Sequence, residues 1–391
     1  MNDVGLQAVG RPFASVFPSE LAKGERLMAI NFLTNTASHN GGLALLYRVV
    51  EKLYGNPAAV GEINYLYGGR QYGGAPSLPQ RIGGPEIRLE TPLVPSVDLD
   101  VGRLGAIVTY NSFSPNCIQL CDPELDVENL VGPRGDGTDK PIALYTLPSL
   151  FNHACYSNAM WHCFGDVMAI RASEDIPSGC EITIPYLSTL SNSERARKLK
   201  DILEDRPCDC SLCAKDTADG IEACSKRSNI MKRWFKDGRA RLAAGGTRGS
   251  KIIDETLAKL DATYHSNRTI RIEQFYIHGD AIAFYQSLGS LTRKPAYHIQ
   301  AIKHGFRALQ RAGLMGIDTS IQQGSGEVPS ALPISTQRLG CPMIDPNLVI
   351  LAMIHISRSF TCVGEPVHAH RWHVASQWSE SVITPPEQVI Y

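Results

Sequence analysis

SLFNHACYSNAMWHCFGDVMAIRASEDIPSGCEITIPY, residues 149–186, is the stretch whose reading decides the fold. It sets Asn152, His153 and Cys155 in one tight polar cluster. Two β-prone runs follow, Asn158 to Phe164 and Val167 to Arg171, parted by Gly165-Asp166, which predicts a hairpin. Ile176-Pro177-Ser178-Gly179 makes another turn. EITIPY then alternates Ile182, Ile184 and Tyr186 on one face, with Pro185 placing that strand at an edge or at its end.

Just downstream lies CDCSLC, residues 208–213. Three thiols in a C-x-C-x2-C arrangement are crowded for core packing and one ligand short of a closed tetrahedral zinc site. Cys155 is the natural fourth, with Cys163, Cys180 and Cys224 as rivals that spacing alone does not exclude. Cys117 and Cys121, four apart with no close second pair, read as ordinary thiols.

The whole chain sets bounds on these motifs. It has 391 residues, 43% apolar and 20% charged, enough for a sizeable core and two domains. With 38 basic against 39 acidic residues, the overall charge gives no pull toward nucleic acid or anionic membrane. The first 20 residues lack the basic and apolar regions of a signal peptide, and no run of 18 apolar residues occurs, so neither secretion nor a membrane span is expected. Eleven cysteines then read as thiols or metal ligands rather than a disulfide framework.

Upstream, RLMAINF (26–32) reads as a strand, and LALLYRVVEKLY (43–54) as an amphipathic helix stopped by Gly55-Asn56-Pro57. The Tyr-, Gly- and Pro-rich text from Tyr65 to Pro85 reads as an inserted loop, and GAIVTYNSF (105–113) as a strand. Downstream, Ser191 to Glu194 has the form of a capping box opening a helix, with Arg195, Arg197, Lys198 and Lys200 on a solvated face. From about Ile221 helical periodicity takes over: Leu257, Leu260 and Tyr264 trace one stripe, and Ile299, Ile302, Phe306 and Leu309 another. KRSNIMKRWFK (226–236) reads as a solvated helix or a nuclear signal, and His368, His370 and His373 as a surface face.

Taken together, NHACYSN, GDVMAIRASEDIPSGCEITIPYL and CDCSLC resemble the C-terminal SET motif of protein-lysine methyltransferases followed by a cysteine-rich post-SET segment. YNSF at 110–113, LYTLPSLFNHAC at 144–155 and the helical C-terminal part are similar to the SET-and-MYND branch and its fungal relatives, with the MYND module replaced by the loop insertion. The resemblance implies an α+β fold: a β-rich SET domain with a pseudoknot over 1–205, irregular around 55–100, a zinc-bound post-SET segment at 206–215, and a helical domain of tetratricopeptide kind over 221–391.

For function the resemblance implies transfer of a methyl group from S-adenosylmethionine to a lysine of a protein, in the cytoplasm or nucleus. Asn111, Asn152 and His153 would contact the cofactor, Tyr186 would be the catalytic tyrosine, and Cys155, Cys208, Cys210 and Cys213 would hold structural zinc. A protein substrate, or a partner held by the helical domain, is implied, with no direct nucleic-acid or membrane partner. A Cys155–His153 nucleophile pair is the rival catalytic reading; residues so close on one turn rarely meet side chain to side chain productively. The chain departs from the family at Arg206, where an aromatic residue packs on adenine, at Cys180 and Ser157, and in lacking a clear G-x-G near Gly5 to Phe13. A SET-derived scaffold, or a methyltransferase for a small metabolite, are the alternatives these departures leave.

Overall fold

The computed structural model describes residues 6–16, 28–31, 36–39, 41–72, 99–114, 142–164, 167–187, 192–204, 206–265, 267–314, 316, 318–322, 331–335 and 344–383. They fall into two compact units whose division lies inside the decisive stretch: one contains 6–152 and 161–170, the other 153–160 and 171–383. Cys117, Cys121, Ser191 and the part of the Tyr-rich insertion beyond Tyr72 lie outside the described residues.

The first unit is built on β1 (Leu6–Gly10), β2 (Ala14–Val16), β3 (Met28–Asn31), β4 (Thr36–His39) and β5 (Ser112–Phe113), with β6 (Ile142–Leu144). β2 and β5 both pair antiparallel to β6, Ser15 opposite Ala143 and Ser112 opposite Leu144, and β3 pairs with β4. Helix α1 (Gly41–Gly55) lays Leu45, Val49 and Leu53 into the core, as its periodicity predicts. The expected irregularity after residue 55 is only partial, because Val60–Asn64 forms a short helix, α2, that buries Ile63.

The expected strand at 105–113 is corrected. Val101–Asn111 is a helix, α3, and only Ser112 and Phe113 are extended. Asp100 caps it, its Oδ1 accepting from the Arg103 N–H at 2.9 Å, and Leu104, Ile107, Val108 and Asn111 form the buried face. Burial of that face outweighs the β preference of Ile107, Val108 and Thr109.

The predicted hairpin is present as β8 (Ala159–Phe164) and β9 (Val167–Ala172), in a sheet of order β1-β9-β8. β7 (Asn152–His153) pairs with β10 (Thr183–Ile184), a shorter strand than EITIPY suggests.

The second unit is largely helical: α4 (Asn192–Ile202), α5 (Ser211–Asp219), α6 (Ile221–Arg233), α7 (Arg239–Ala244), α8 (Gly249–Asp261), α9 (Ile272–Thr292), α10 (Pro295–Arg311), α11 (Pro346–Val363) and α12 (Pro366–Ile383). The last four pack each on the next, and all four contribute to one buried apolar cluster. Among the described residues α11 is the helix long and apolar enough to cross a membrane; Met353, Ile356 and Phe360 on it are fully buried in the protein core.

Three surface expectations hold for most of their residues, with Arg197, Lys200, Lys226, Lys232, His370 and His373 exposed, and each fails at one. Arg195, expected on a solvated face, is 2% exposed and bonded to Asp216; Arg227, within KRSNIMKRWFK, is 1% exposed; His368 is buried, stacked 5.1 Å from Phe360. In each case a partner from a neighbouring helix supplies the environment that makes burial tolerable.

Candidate active site and thiol centre

Tyr186 is placed by two backbone devices. The Ala154 N–H donates to Ile184 O at 3.2 Å, and the Tyr186 N–H donates to His153 Nδ1 at 3.0 Å. The His153 and Tyr186 rings lie 5.0 Å apart, inclined at 44°. Asn158 fixes the approach to this tyrosine: its Nδ2 donates to Glu181 O at 2.8 Å and its Oδ1 accepts from the Thr183 N–H at 2.9 Å. Sequence reasoning treats Asn158 only as the start of a strand, whereas the structure makes it the clasp of two segments 23 and 25 residues apart.

Burial, with the Glu181 carboxylate adding to it, pushes the Tyr186 phenol up to about 12. The hydroxyl is therefore protonated at neutral pH. It can orient and polarise a neighbour but is a poor base.

Asn111, in the first unit, is 6% exposed and ends α3. Its Nδ2 donates to Tyr67 O at 2.7 Å and Ile107 O at 2.8 Å, and its carbonyl accepts from Ser149 Oγ at 3.1 Å. Its amide hydrogens thus hold the chain around Tyr67. Asn152 is exposed, and so is Arg206.

In the second unit the sulfurs of Cys155, Cys208, Cys210 and Cys213 all lie within 4.8 Å of one another. Cys155 comes from the turn after β7, while Cys210 and Cys213 flank the start of α5, where Cys210 O accepts from the Ala214 N–H at 2.9 Å. Of the rivals, Cys163 lies 3.9 Å from Tyr145 Oη, Cys180 is exposed, and Cys224 is engaged with Asp216 O and Arg227. Sulfurs 2.3 Å from a common tetrahedral centre stand about 3.8 Å apart. The Cys213–Cys155 separation is 3.6 Å, so the thiols fit such an ion.

The neighbouring sulfurs of Cys208, Cys210 and Cys213, together with burial, push the Cys155 thiol far up, whereas Cys208 is drawn down chiefly by its contact with Cys155. Four close sulfurs share protons unevenly because they cannot all carry charge; a divalent cation among them removes that restriction.

His153 and Cys155 do meet: Nε2 lies 3.2 Å from Sγ. The pair still makes a poor nucleophilic couple, because Cys155 is fully buried and ringed by the other thiols.

The SET-domain family model matches residues 110–187, the span that holds Asn111, His153, Cys155 and Tyr186. The chain carries a SET domain. This SET chain is 31% identical over 122 residues to "Histone-lysine N-methyltransferase ASHR1" of Arabidopsis thaliana, covering 31% of the chain and 22% of that relative. It is 32% identical over 137 residues to "Histone-lysine N-methyltransferase SMYD3" of Mus musculus, covering 34% and 27%. It is also 33% identical over 79 residues to "SET domain-containing protein SmydA-8, isoform B" of Drosophila melanogaster, covering 20% and 18%. The match thus spans about a quarter or less of each relative.

Proposed function

We propose that this SET chain transfers the methyl group of S-adenosylmethionine to a lysine Nζ of a protein. The observation that carries the reading is the paired His153 and Tyr186, held at 3.0 Å by ring nitrogen and backbone within the matched span. When bound, the cofactor supplies an electrophilic methyl on a sulfonium. A lysine amine that has given its proton to water would take that methyl, the N–C bond forming as the S–C bond breaks. Little covalent work falls to the protein, so alignment and exclusion of water dominate.

In this reading the protonated Tyr186 hydroxyl orients the amine and the transferring methyl, and Asn152, His153 and Asn111 contact the cofactor. Cys155, Cys208, Cys210 and Cys213 hold a structural zinc ion, which fixes the turn after His153 against the start of α5. The SET portion over 1–205, with its pseudoknot, the post-SET segment at 206–215 and the helical, tetratricopeptide-like part from 221 would divide the work among chemistry, bracing and partner recruitment. The substrate class is a lysine-bearing protein, met in the cytoplasm or nucleus.

A second reading, a SET-derived scaffold with a silent site, is favoured by exposed Arg206 standing where the family packs an aromatic residue on adenine. Calorimetric titration with S-adenosylhomocysteine separates the two. The methyltransferase reading expects binding; no heat at high micromolar ligand overturns it. Tyr186→Phe is expected to lower methyl transfer to core histones while leaving that binding largely intact, and equal activity would refute the role given to the hydroxyl.

A further inference from the structure

A backbone N–H can be accepted only by a ring nitrogen that carries no proton. The Tyr186 N–H is accepted by His153 Nδ1, so the ring proton sits on Nε2, directed at the Cys155 sulfur 3.2 Å away. One imidazole therefore has one end on a thiol of the four-cysteine centre and the other on the backbone of the tyrosine. We propose that His153 is a positioning residue through which the four-cysteine centre fixes the placement of Tyr186.

The proposal rests on reading the cysteines as metal ligands, and adds what that centre does for the site. A metal-bound thiolate is a charged acceptor with no proton to give, so it takes the Nε2–H strongly and leaves Nδ1 bare, the form the Tyr186 N–H requires. A neutral thiol is a weak acceptor and imposes no such choice of tautomer. The Ala154–Ile184 bond and the Asn158 clasp hold the strand, but the bond to the Tyr186 N–H comes from His153. Loss of the metal would thus release the tyrosine without unfolding β10.

The test replaces zinc by cobalt, whose thiolate charge-transfer band reports on the sulfurs, in the full chain and in two variants that each cut one end of the imidazole bridge. Asn at 153 puts its carbonyl oxygen near the place of Nδ1 and has nothing at Nε2; Gln reaches the place of Nε2 with an N–H and leaves the Tyr186 N–H without Nδ1. All three proteins are expected to bind one cobalt, which also shows that the centre is folded. In His153→Asn the band moves to longer wavelength, because the sulfur lone pairs lose their hydrogen bond; in His153→Gln it stays. His153→Gln instead lowers methyl transfer to core histones, measured at saturating S-adenosylmethionine so that any lost cofactor contact is cancelled, by about 10- to 100-fold, the range usual for a lost outer-shell bond. Cobalt uptake with the band unmoved in His153→Asn overturns the proposal alone, as does unchanged methyl transfer at saturating S-adenosylmethionine in His153→Gln. A parent that takes up no cobalt overturns the metal reading and the proposal with it, and one that takes up cobalt but binds no S-adenosylhomocysteine overturns the methyltransferase reading together with the Tyr186 half of the proposal.

Discussion

Replacing Asp216 by Asn should cost about 3–5 kcal/mol of folding stability, a large part of the ~5–15 kcal/mol available to a domain. Asp216 is 4% exposed. Its Oδ1 meets Arg227 at 3.2 Å and Arg268 at 2.7 Å, and its Oδ2 takes bonds from Arg195 and, at 3.1 Å, from Asn192. Around it, Arg227 also reaches Asp219 at 2.9 Å and Glu273 at 3.7 Å, so three guanidinium groups face three carboxylates. Asn keeps the shape but removes one negative charge, and its amide hydrogens would face guanidinium hydrogens. One buried positive charge is left uncompensated, the situation in which a broken buried pair is most costly. The shift of Arg195 shows which effect wins: burial by itself lowers its pKa, yet the net shift is upward because of Asp216.

Urea denaturation followed by far-ultraviolet circular dichroism measures the loss. Adding Arg195→Met to Asp216→Asn restores neutrality and should recover part of it. A single-variant loss below about 1 kcal/mol, or a double variant no more stable than the single, would refute the idea that charge balance holds this cluster.

Metal analysis of Cys210→Ser should find the bound zinc lost or much reduced, and undiminished zinc would count against the ligand set. Asn158→Ala removes the bonds to Glu181 and Thr183, and should cost about 1–3 kcal/mol in thermal or urea unfolding; an unchanged midpoint would show that the clasp is idle. Acid should weaken the helical part through His304, which burial and the neighbouring Arg307 lower to about 4. The unfolded chain, with an ordinary imidazole near 6.5, binds that proton first, so the contribution is full above about pH 6.5 and lost as pH falls toward about 4, roughly 2 kcal/mol by pH 5. His278 and His355 are shifted the same way, both chiefly by burial. The measurement is the stability difference between pH 7.5 and 5.0 in the parent and in His304→Phe, a comparison that cancels acid release of any metal; an equal pH dependence in both would dismiss His304 as its source.

Local pattern carried the hairpin at 159–172, helix α1 and the stripes of the C-terminal helices, since periods of 2 and 3.6 are written directly in side-chain polarity. Helix α3 was written there too, in Leu104, Ile107, Val108 and Asn111, but the β-branched residues among them masked the period when 105–113 was read alone. C-x-C-x2-C announced three thiols and the need of a fourth, because tetrahedral coordination is a counting rule. Counting could not choose among Cys155, Cys163, Cys180 and Cys224. Tertiary structure chose by bringing Cys155 from the β7 turn to the start of α5, some 58 residues away in sequence.

The same limit explains Arg195, Arg227 and His368. Each looks like surface in its own helix, and each is buried by partners that only folding brings near. The stretch 149–186 by itself pointed to the SET domain and to the candidate tyrosine, because residue type and order suffice for that. What the imidazole of His153 touches, a sulfur on one side and the Tyr186 backbone on the other, was decided by the three-dimensional arrangement. Hydrogen-bond direction depends on distances of a few tenths of an ångström between groups 33 residues apart, and no pattern along the chain encodes that separation.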